Sequence, residues 1–155
     1  MSAQELVKIL QKKHLSIATA ESLTAGLLAS KIAEIPGVSI TLRGGIIAYQ
    51  NEIKIEVLGV NEKIIKEHGA VSSETATEMA IGVANRLQSD VAISTTGVAG
   101  PKASEAKPVG TVFIGVWILG ETYGEQFHLS GTREQIRQAT CGLAFEFARD
   151  KLLEV

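Results

Sequence analysis

The chain has 155 residues, of which 45% are hydrophobic and 21% are charged, and its formal net charge is −2. This length suits one continuous core, since domains commonly hold about 100 to 200 residues, so we expect residues 1–155 to form a single domain. The charge excludes a protein that binds nucleic acid through a strongly basic surface. The apolar runs fall short of the roughly 18 residues of a membrane span, and the N-terminus has no signal-peptide core. We therefore expect a cytoplasmic protein that does not bind a membrane.

The first third of the chain alternates helices with strands. Apolar residues recur at helical spacing in ELVKIL, whereas LSIATA is short and largely apolar, which is typical of a buried strand. Pro36-Gly37 ends the next helix, and Asn51 is a good N-cap for a short helix that Gly59 ends. The pattern predicts a helix over 3–13, a strand over 15–20, a helix from about 27 to 35, a strand over 43–50 and a helix over 51–59.

The remaining chain continues the alternation and then adds a hairpin. Ser73 lies near the start of a long helix without a full capping box, Gly120 separates two strands, and Thr132 caps the last helix. Cys141 in that helix fits a small buried apolar position. The predicted elements are a helical turn near 61–67, a helix over 73–88, strands over 90–96, 111–119 and 121–129, and a helix over 132–153. This order predicts an α/β fold, a three-layer α/β/α sandwich whose mixed, mostly parallel sheet has one strand reversed by the hairpin.

Two loops are candidates for a ligand site, because open α/β sheets bind ligands beyond the carboxyl ends of their strands. The first is SLTAG, where Ser22 follows a strand and precedes a helix. Backbone N–H groups there favour negative charge, so Ser22 is either a helix cap or a nucleophile beside an oxyanion site. The second is TGVAGPKASEAKP, whose glycines fit either a turn or a close approach to a ligand.

A serine nucleophile needs a base, and the three histidines are poorly placed to provide it. His14 precedes the first strand, His68 follows a helical turn and His128 ends a hairpin strand. Lys54 is the better candidate if burial lowers its pKa, although it also fits a solvated charge on an amphipathic helix. Tyr49 nearby fits either the site or the core.

Seven motifs, in this order and spacing, give the chain a resemblance to the C-terminal domain of CinA proteins and its stand-alone form, nicotinamide mononucleotide amidohydrolase. Each motif is weak alone, but together they cover nearly the whole chain. They are AES-x-T-x-G at 20–26, GG-x-x-AY-x-NE-x-K at 44–54, LGV at 58–60, HGAVS at 68–72, TG-x-AGP at 96–101, KPVGTV at 107–112 and G-x-R-x-x-x-R at 131–137.

The resemblance implies a three-layer α/β/α fold, a homo-oligomer, and hydrolysis of the carboxamide of nicotinamide mononucleotide to nicotinate mononucleotide and ammonia. It implies no metal and no cofactor, and a small pyridine nucleotide as the substrate. It implies that Ser22 is the nucleophile, Lys54 the base and Tyr49 a site residue that orients the lysine or relays protons. We expect N–H groups of Thr24, Ala25 and Gly26 to hold the oxyanion, and Arg133 or Arg137 to pair with the phosphate. The remaining expected substrate-binding residues are Gly45, Asn51, Thr96, Gly97, Gly100 and Lys107.

The sequence also departs from the family pattern. Many members have ESCTGG where this chain has ESLTAG, so Leu23 and Ala25 replace a cysteine and a glycine. The glycine-rich run that commonly follows AGP is replaced by residues 102–106, which bring the carboxylate of Glu105 near a phosphate-bearing substrate. Two alternatives to an amidohydrolase are a catalytically silent paralogue that binds a nucleotide or a protein partner, and an interaction module. The module would be a remnant of the two-domain CinA architecture, whose additional N-terminal domain we expect this chain to lack.

Overall fold

Strands and helices alternate along residues 3–155, the part of the chain that this computed structural model describes. The helices are α1 (Ala3–Lys13), α2 (Leu27–Ala33), α3 (Asn51–Glu56), α4 (Glu62–His68), α5 (Ser73–Leu87) and α6 (Arg133–Leu153), with a short 3₁₀ turn at Val38–Ile40. The strands are β1 (Ile17–Glu21), β2 (Leu42–Ile47), β3 (Val91–Gly97), β4 (Thr111–Ile118) and β5 (Glu121–His128).

The five strands form one mixed sheet in the order β2-β1-β3-β4-β5. Strand β1 pairs in parallel with both β2 and β3, whereas β4 is antiparallel to β3 and to β5. Only β4 therefore runs against the other four, which confirms the predicted reversal by the hairpin. The carboxyl ends of β1, β2 and β3 consequently lie at the same edge of the sheet.

Helices cover both faces of the sheet. On one face, α1, α2 and α6 pack over a core that includes Leu10, Ile93 and Phe145. On the other, α5 packs across the strands through Met79 and Val83, and residues flanking α3 and α4 join that cluster. The predicted three-layer α/β/α architecture is confirmed. No helix within residues 3–155 has the length and apolar character needed to cross a bilayer.

Several predicted boundaries and caps need correction. Strand β2 ends at Ile47, before the predicted end, and α3 ends at Glu56. Asn51 is not the N-cap of α3, because the extended residue at that position is Gln50. The cap of α5 is Ser72, whose hydroxyl accepts a hydrogen bond from the Thr75 N–H at 3.1 Å, and not Ser73.

Two features of the last helix are confirmed. Thr132 caps α6, and together with Gln135 it forms a full capping box. Cys141 is fully buried in this helix, and its desolvation raises the pKa of the thiol to about 12. The thiol therefore stays protonated, as expected for a residue that fills the core.

The buried carboxylate of Glu21, at the end of β1, caps helix α2 across an intervening turn. One of its oxygens accepts the N–H of Leu28 at 2.7 Å, the N–H of Gly26 at 3.2 Å and the Thr24 hydroxyl at 2.7 Å. The other accepts the N–H of Ala29 at 3.0 Å and the Thr19 hydroxyl at 3.2 Å. These bonds satisfy N–H groups that the first turn of a helix leaves without partners.

This arrangement shows that Ser22 is not the helix cap. The N-cap of α2 is Gly26, which has φ = 98° and makes no side-chain cap of its own, so Glu21 supplies the acceptor from five residues upstream. Ala25 and Gly26 both adopt left-handed backbone conformations, and this turns the chain between β1 and α2. The hydroxyl of Ser22 is thereby left available for another role.

Replacing Glu21 with glutamine should lower the free energy of unfolding by about 2–3 kcal/mol, because one amide oxygen cannot accept five bonds and the amide NH₂ faces donors. Urea denaturation followed by circular dichroism measures this change. The matched control is Glu34→Gln at the exposed end of the same helix, which we expect to change stability by less than about 0.5 kcal/mol. Equal effects of the two substitutions would contradict a capping role for Glu21.

Candidate active site

A cleft of ≈ 240 Å³ lies beyond the carboxyl ends of β1, β2 and β3, where the sequence predicted a ligand site. Ser22 reaches it from the end of β1, and Tyr49 and Lys54 reach it from the segment after β2. The loop after β3 and the first residue of α6 complete the walls. Eight of the predicted site residues meet here: Ser22, Tyr49, Asn51, Lys54, Thr96, Gly97, Gly100 and Arg133.

Ser22 and Lys54 are in direct contact inside the cleft. The Lys54 Nζ lies 3.1 Å from the Ser22 Oγ and donates a second hydrogen bond, of 3.0 Å, to the Tyr49 carbonyl oxygen. The Ser22 N–H donates to the Thr95 carbonyl at 3.0 Å, so the pairing of β1 with β3 fixes the backbone of the serine. This is the geometry of a nucleophile within hydrogen-bond reach of a base.

Lys54 is a buried lysine and not the solvated charge that a surface helix would carry. Only 1% of the residue is exposed. This desolvation lowers the pKa of its ammonium group to about 8, although the nearby charge of Glu105 acts in the opposite direction. Roughly a tenth of the amine is therefore neutral at pH 7 and about half at pH 8, which gives a general base that an ordinary lysine would not provide.

Tyr49 contributes its backbone, and not its ring, to the serine–lysine pair. Its carbonyl oxygen lies 3.5 Å from the Ser22 Oγ as well as accepting from Lys54. Its phenol points elsewhere: the residue is 51% exposed, and its hydroxyl accepts a bond of 2.7 Å from the Arg133 guanidinium. Arg133 also donates to the Gly100 carbonyl at 2.6 Å, so the guanidinium bridges two walls of the cleft.

The wall after β3 is built mainly from backbone. Gly97 and Gly100 line the cleft, and the Thr96 hydroxyl donates to the Ala70 carbonyl at 2.8 Å. The side chain of Thr96 is therefore committed to holding the segment before α5.

Three predicted residues of the loop after Ser22 lie behind the cleft. The Thr24 hydroxyl is buried against Glu21 and Thr95. The Ala25 N–H donates to the Ser22 carbonyl at 3.1 Å, and the Gly26 N–H donates to Glu21. Ala25 and Gly26 are thus not oxyanion donors in this structure, because both N–H groups already have acceptors inside the protein.

Three more predicted substrate-binding residues do not themselves line the cleft and make contacts within the protein. Gly45 lies opposite Thr19 in the sheet, where a side chain would collide with the threonine hydroxyl. Arg137 donates to the carbonyls of Leu23 and Thr24 at 2.8 and 3.1 Å, so it holds the loop after Ser22 and is not free for a phosphate. Lys107 donates to backbone carbonyls and to Glu105.

Several residues that line the cleft had no role predicted from the sequence, namely Leu23, Ala70, Val71, Val98, Ala99, Lys102 and Ser104. It identified Glu105 only as a departure from the family pattern. Ala70 and Val71 belong to the HGAVS motif, which was the available signal for them. Their contribution comes from backbone atoms, and a sequence motif does not specify where backbone atoms point.

A larger groove of ≈ 420 Å³ is lined by residues of α1, α2 and α6 and of the segment after α2. Lys31, Glu34 and Phe145 are among the residues that line it. It contains no serine or cysteine beside a base, so the chemistry of the smaller cleft identifies the candidate site better than volume does.

The amino-acid sequence matches a known protein family and relatives within it. Residues 1–152 match the CinA C-terminal domain family. A CinA-like protein of Dictyoglomus thermophilum is 45% identical over 151 residues, which cover 97% of this chain and 37% of that protein. A CinA-like protein of Kosmotoga olearia is 45% identical over 149 residues, which cover 96% of this chain and 36% of that protein. The chain thus spans little more than a third of these relatives.

Comparison with solved structures indicates the same family. The competence/damage inducible protein CihA from Agrobacterium tumefaciens is 34% identical, with a TM-score of 0.89 over 94% of this chain and 90% of that one. A CinA superfamily protein from Klebsiella pneumoniae is 26% identical and superimposes over 100% of both chains with a TM-score of 0.95. This chain belongs to the CinA C-terminal domain family.

Proposed function

We propose that the protein is an amidohydrolase that converts nicotinamide mononucleotide to nicotinate mononucleotide and ammonia, a step of pyridine-nucleotide salvage. The observation that carries the proposal is the contact of 3.1 Å between the buried Lys54 amine and the Ser22 hydroxyl. The identity of the proposed substrate rests on the sequence motifs, which resemble those of nicotinamide mononucleotide amidohydrolase. We also propose a cytoplasmic homo-oligomer, which is what the resemblance implies.

In the first half of the reaction, neutral Lys54 takes the proton of Ser22 while the serine Oγ attacks the carboxamide carbon. The attached pyridinium ring makes that carbon electrophilic. None of the three N–H groups expected to hold the oxyanion is assigned that role here, since Ala25 and Gly26 donate within the protein and Thr24 is fully buried behind the cleft. The C–N bond then breaks, the leaving nitrogen takes the proton from the Lys54 ammonium, and ammonia departs from an acyl ester on Ser22.

In the second half, water hydrolyses the ester. Lys54, neutral again, takes a proton from the water as its oxygen attacks the acyl carbon. The bond to the Ser22 Oγ then breaks, and the serine recovers its proton from Lys54. The Tyr49 carbonyl holds the lysine in place throughout, because it accepts a bond from the amine at 3.0 Å.

Cationic side chains at the mouth of the cleft suit an anionic nucleotide. Lys102 and Arg133 both line it. The guanidinium of Arg133 already bridges Tyr49 and Gly100, so its orientation is fixed before a phosphate arrives. Of the two arginines expected to pair with the phosphate, Arg133 lines the cleft and Arg137 does not, so Arg133 is our candidate between them.

Ser22→Ala should abolish ammonia release from nicotinamide mononucleotide, with a loss of kcat of about 10³-fold or more, because the nucleophile is gone. Ser30→Ala, at an exposed position on α2, is the matched control and should retain full activity. Undiminished turnover by Ser22→Ala would eliminate the mechanism. Wild-type protein that binds the nucleotide without releasing ammonia would instead identify a catalytically silent paralogue.

The activity should rise with pH and level off above about pH 8, because only the neutral form of Lys54 accepts the proton of Ser22 and its pKa is lowered to about 8. Measuring kcat/KM for ammonia release from about pH 6 to about pH 10 at constant ionic strength tests this. An activity that stays level or falls across that range would argue against lysine as the base.

Lys54→Met should inactivate the protein and yet stabilise it at pH 7 by about 1–2 kcal/mol, a value reduced to allow for water in the cleft. The pKa of the amine is lower in the folded protein than its ordinary 10.5, so folding disfavours the charged form. The penalty applies below about pH 8 and fades as the pH rises towards 10.5. The gain over wild type should therefore shrink across that window.

Urea denaturation at pH 7 and near pH 10 measures this difference. The exposed Lys63 on α4 provides the control, since Lys63→Met removes the same charge without relieving burial and should leave stability nearly unchanged. A Lys54→Met protein that is no more stable than wild type at pH 7 would mean that the amine carries no desolvation penalty.

A further inference from the structure

On one wall of the cleft, two backbone N–H groups and a lysine hold the carboxylate of the protein's own Glu105. One carboxylate oxygen accepts the N–H of Ala70 at 2.9 Å, and the other accepts the N–H of Val71 at 3.0 Å. The Lys107 ammonium lies 3.3 Å from the same carboxylate. Two adjacent backbone N–H groups and a cation are a typical set of ligands for an oxyanion.

This set of donors is held in place by bonds that do not involve Glu105. The Gly69 carbonyl accepts the hydroxyls of Ser72 and Thr75 at 2.9 and 2.7 Å, and the Ala70 carbonyl accepts the Thr96 hydroxyl. Lys107 donates independently to the carbonyls of His68 and Val71. The donors would therefore keep their positions if the carboxylate left.

The loop that carries the carboxylate is much less firmly attached. Residues 101–106 are exposed, and the loop is closed by a pair of backbone bonds between Ser104 and Lys107. Glu105 and Ala106 at its tip have φ = 53° and 59°, a left-handed conformation that is unfavourable for residues with side chains. The loop thus accepts backbone strain in the state where Glu105 is bound.

The carboxylate is ionised in this position and partly accessible. Burial alone would raise its pKa, but the hydrogen bonds from Val71, Ala70 and Lys107 outweigh burial and lower the pKa of Glu105 below its usual value. The side chain is 28% exposed, so solvent reaches it. An anion that enters the cleft can therefore reach and compete with it.

We propose that the Ala70 and Val71 N–H groups and Lys107 form a phosphate-binding site, and that Glu105 fills it until a phosphate monoester displaces the carboxylate. Glu105 is then an internal competitor whose loop opens as the ligand binds. Gly69 makes the site possible, because a side chain there would collide with the bound carboxylate and with Lys107. This proposal rests on the anion site alone and does not require the amidase chemistry.

Inorganic phosphate is the probe, and isothermal titration calorimetry of the full chain at constant ionic strength is the measurement. Glu105→Ala should bind phosphate about tenfold or more tightly than wild type, because the competing carboxylate is gone. The double variant Glu105→Ala/Lys107→Met should lose that gain. The control is Glu74→Ala on the neighbouring α5, which removes the same charge from an exposed carboxylate that pairs with His68.

Phosphate binding by Glu105→Ala that is within about twofold of that by Glu74→Ala would overturn the proposal and leave Glu105 as a brace for its loop. Circular dichroism checks that the variants are folded. If the alanine variant is not, Glu105→Gln keeps an acceptor but loses the charge, and it must still bind phosphate more tightly than Glu74→Ala. Ammonia release by the wild type is a separate measurement. Failure of the amidohydrolase proposal can therefore be distinguished from failure of the phosphate-site proposal.

Discussion

The carboxylate of Glu21 is the constraint on which the candidate site depends. It ends β1, and three of its five hydrogen bonds reach the N-cap and first turn of α2, while the other two go to Thr19 and Thr24. Ser22 is therefore held between a strand fixed by the sheet and a turn fixed by a buried anion. Arg137 holds the same turn from α6 through two carbonyls. The hydroxyl of Ser22 is not needed as a hydrogen-bond partner for the backbone around it, because other side chains bond to those backbone groups.

Burial, a different physical cause, lowers the pKa of Lys54 and allows it to act as the base. Lys54 lies in the short helix α3 that follows β2, and the order β2-β1 in the sheet brings this helix beside the end of β1. Desolvation disfavours the ammonium form, while hydrogen bonds to Ser22 and Tyr49 give the amine two partners. The stability that the fold loses by burying this cation is the free energy that lowers the pKa of the amine and makes its neutral, proton-accepting form available.

The fold was predictable because its signals are local. Much of the site was not predictable, because its contacts join residues that are far apart in the sequence. Alternating helix and strand patterns, the Thr132 cap and the hairpin each lie within a few residues of sequence, and all were found. Glu105 bonds to residues 34 and 35 positions away, and Arg137 to residues 113 and 114 positions away. Such pairs depend on strand order, so Arg137, one of the two arginines predicted to contact the phosphate, instead holds the loop after Ser22. Glu21 caps α2 from the far side of the intervening turn, an arrangement that the standard capping motifs do not describe.

The charges in the cleft connect the anion site with the base. Among the described residues that line the cleft, Glu105 is the one carboxylate, and its charge raises the pKa of Lys54 against the effect of burial. Loss of the carboxylate with nothing in its place would make the lysine amine more neutral, but it would also leave two N–H groups without an acceptor. A phosphate that replaces the carboxylate keeps a negative charge at the same point and satisfies the same donors. The exchange would therefore seat an anionic ligand while it preserves the electrostatic environment in which Lys54 acts on Ser22.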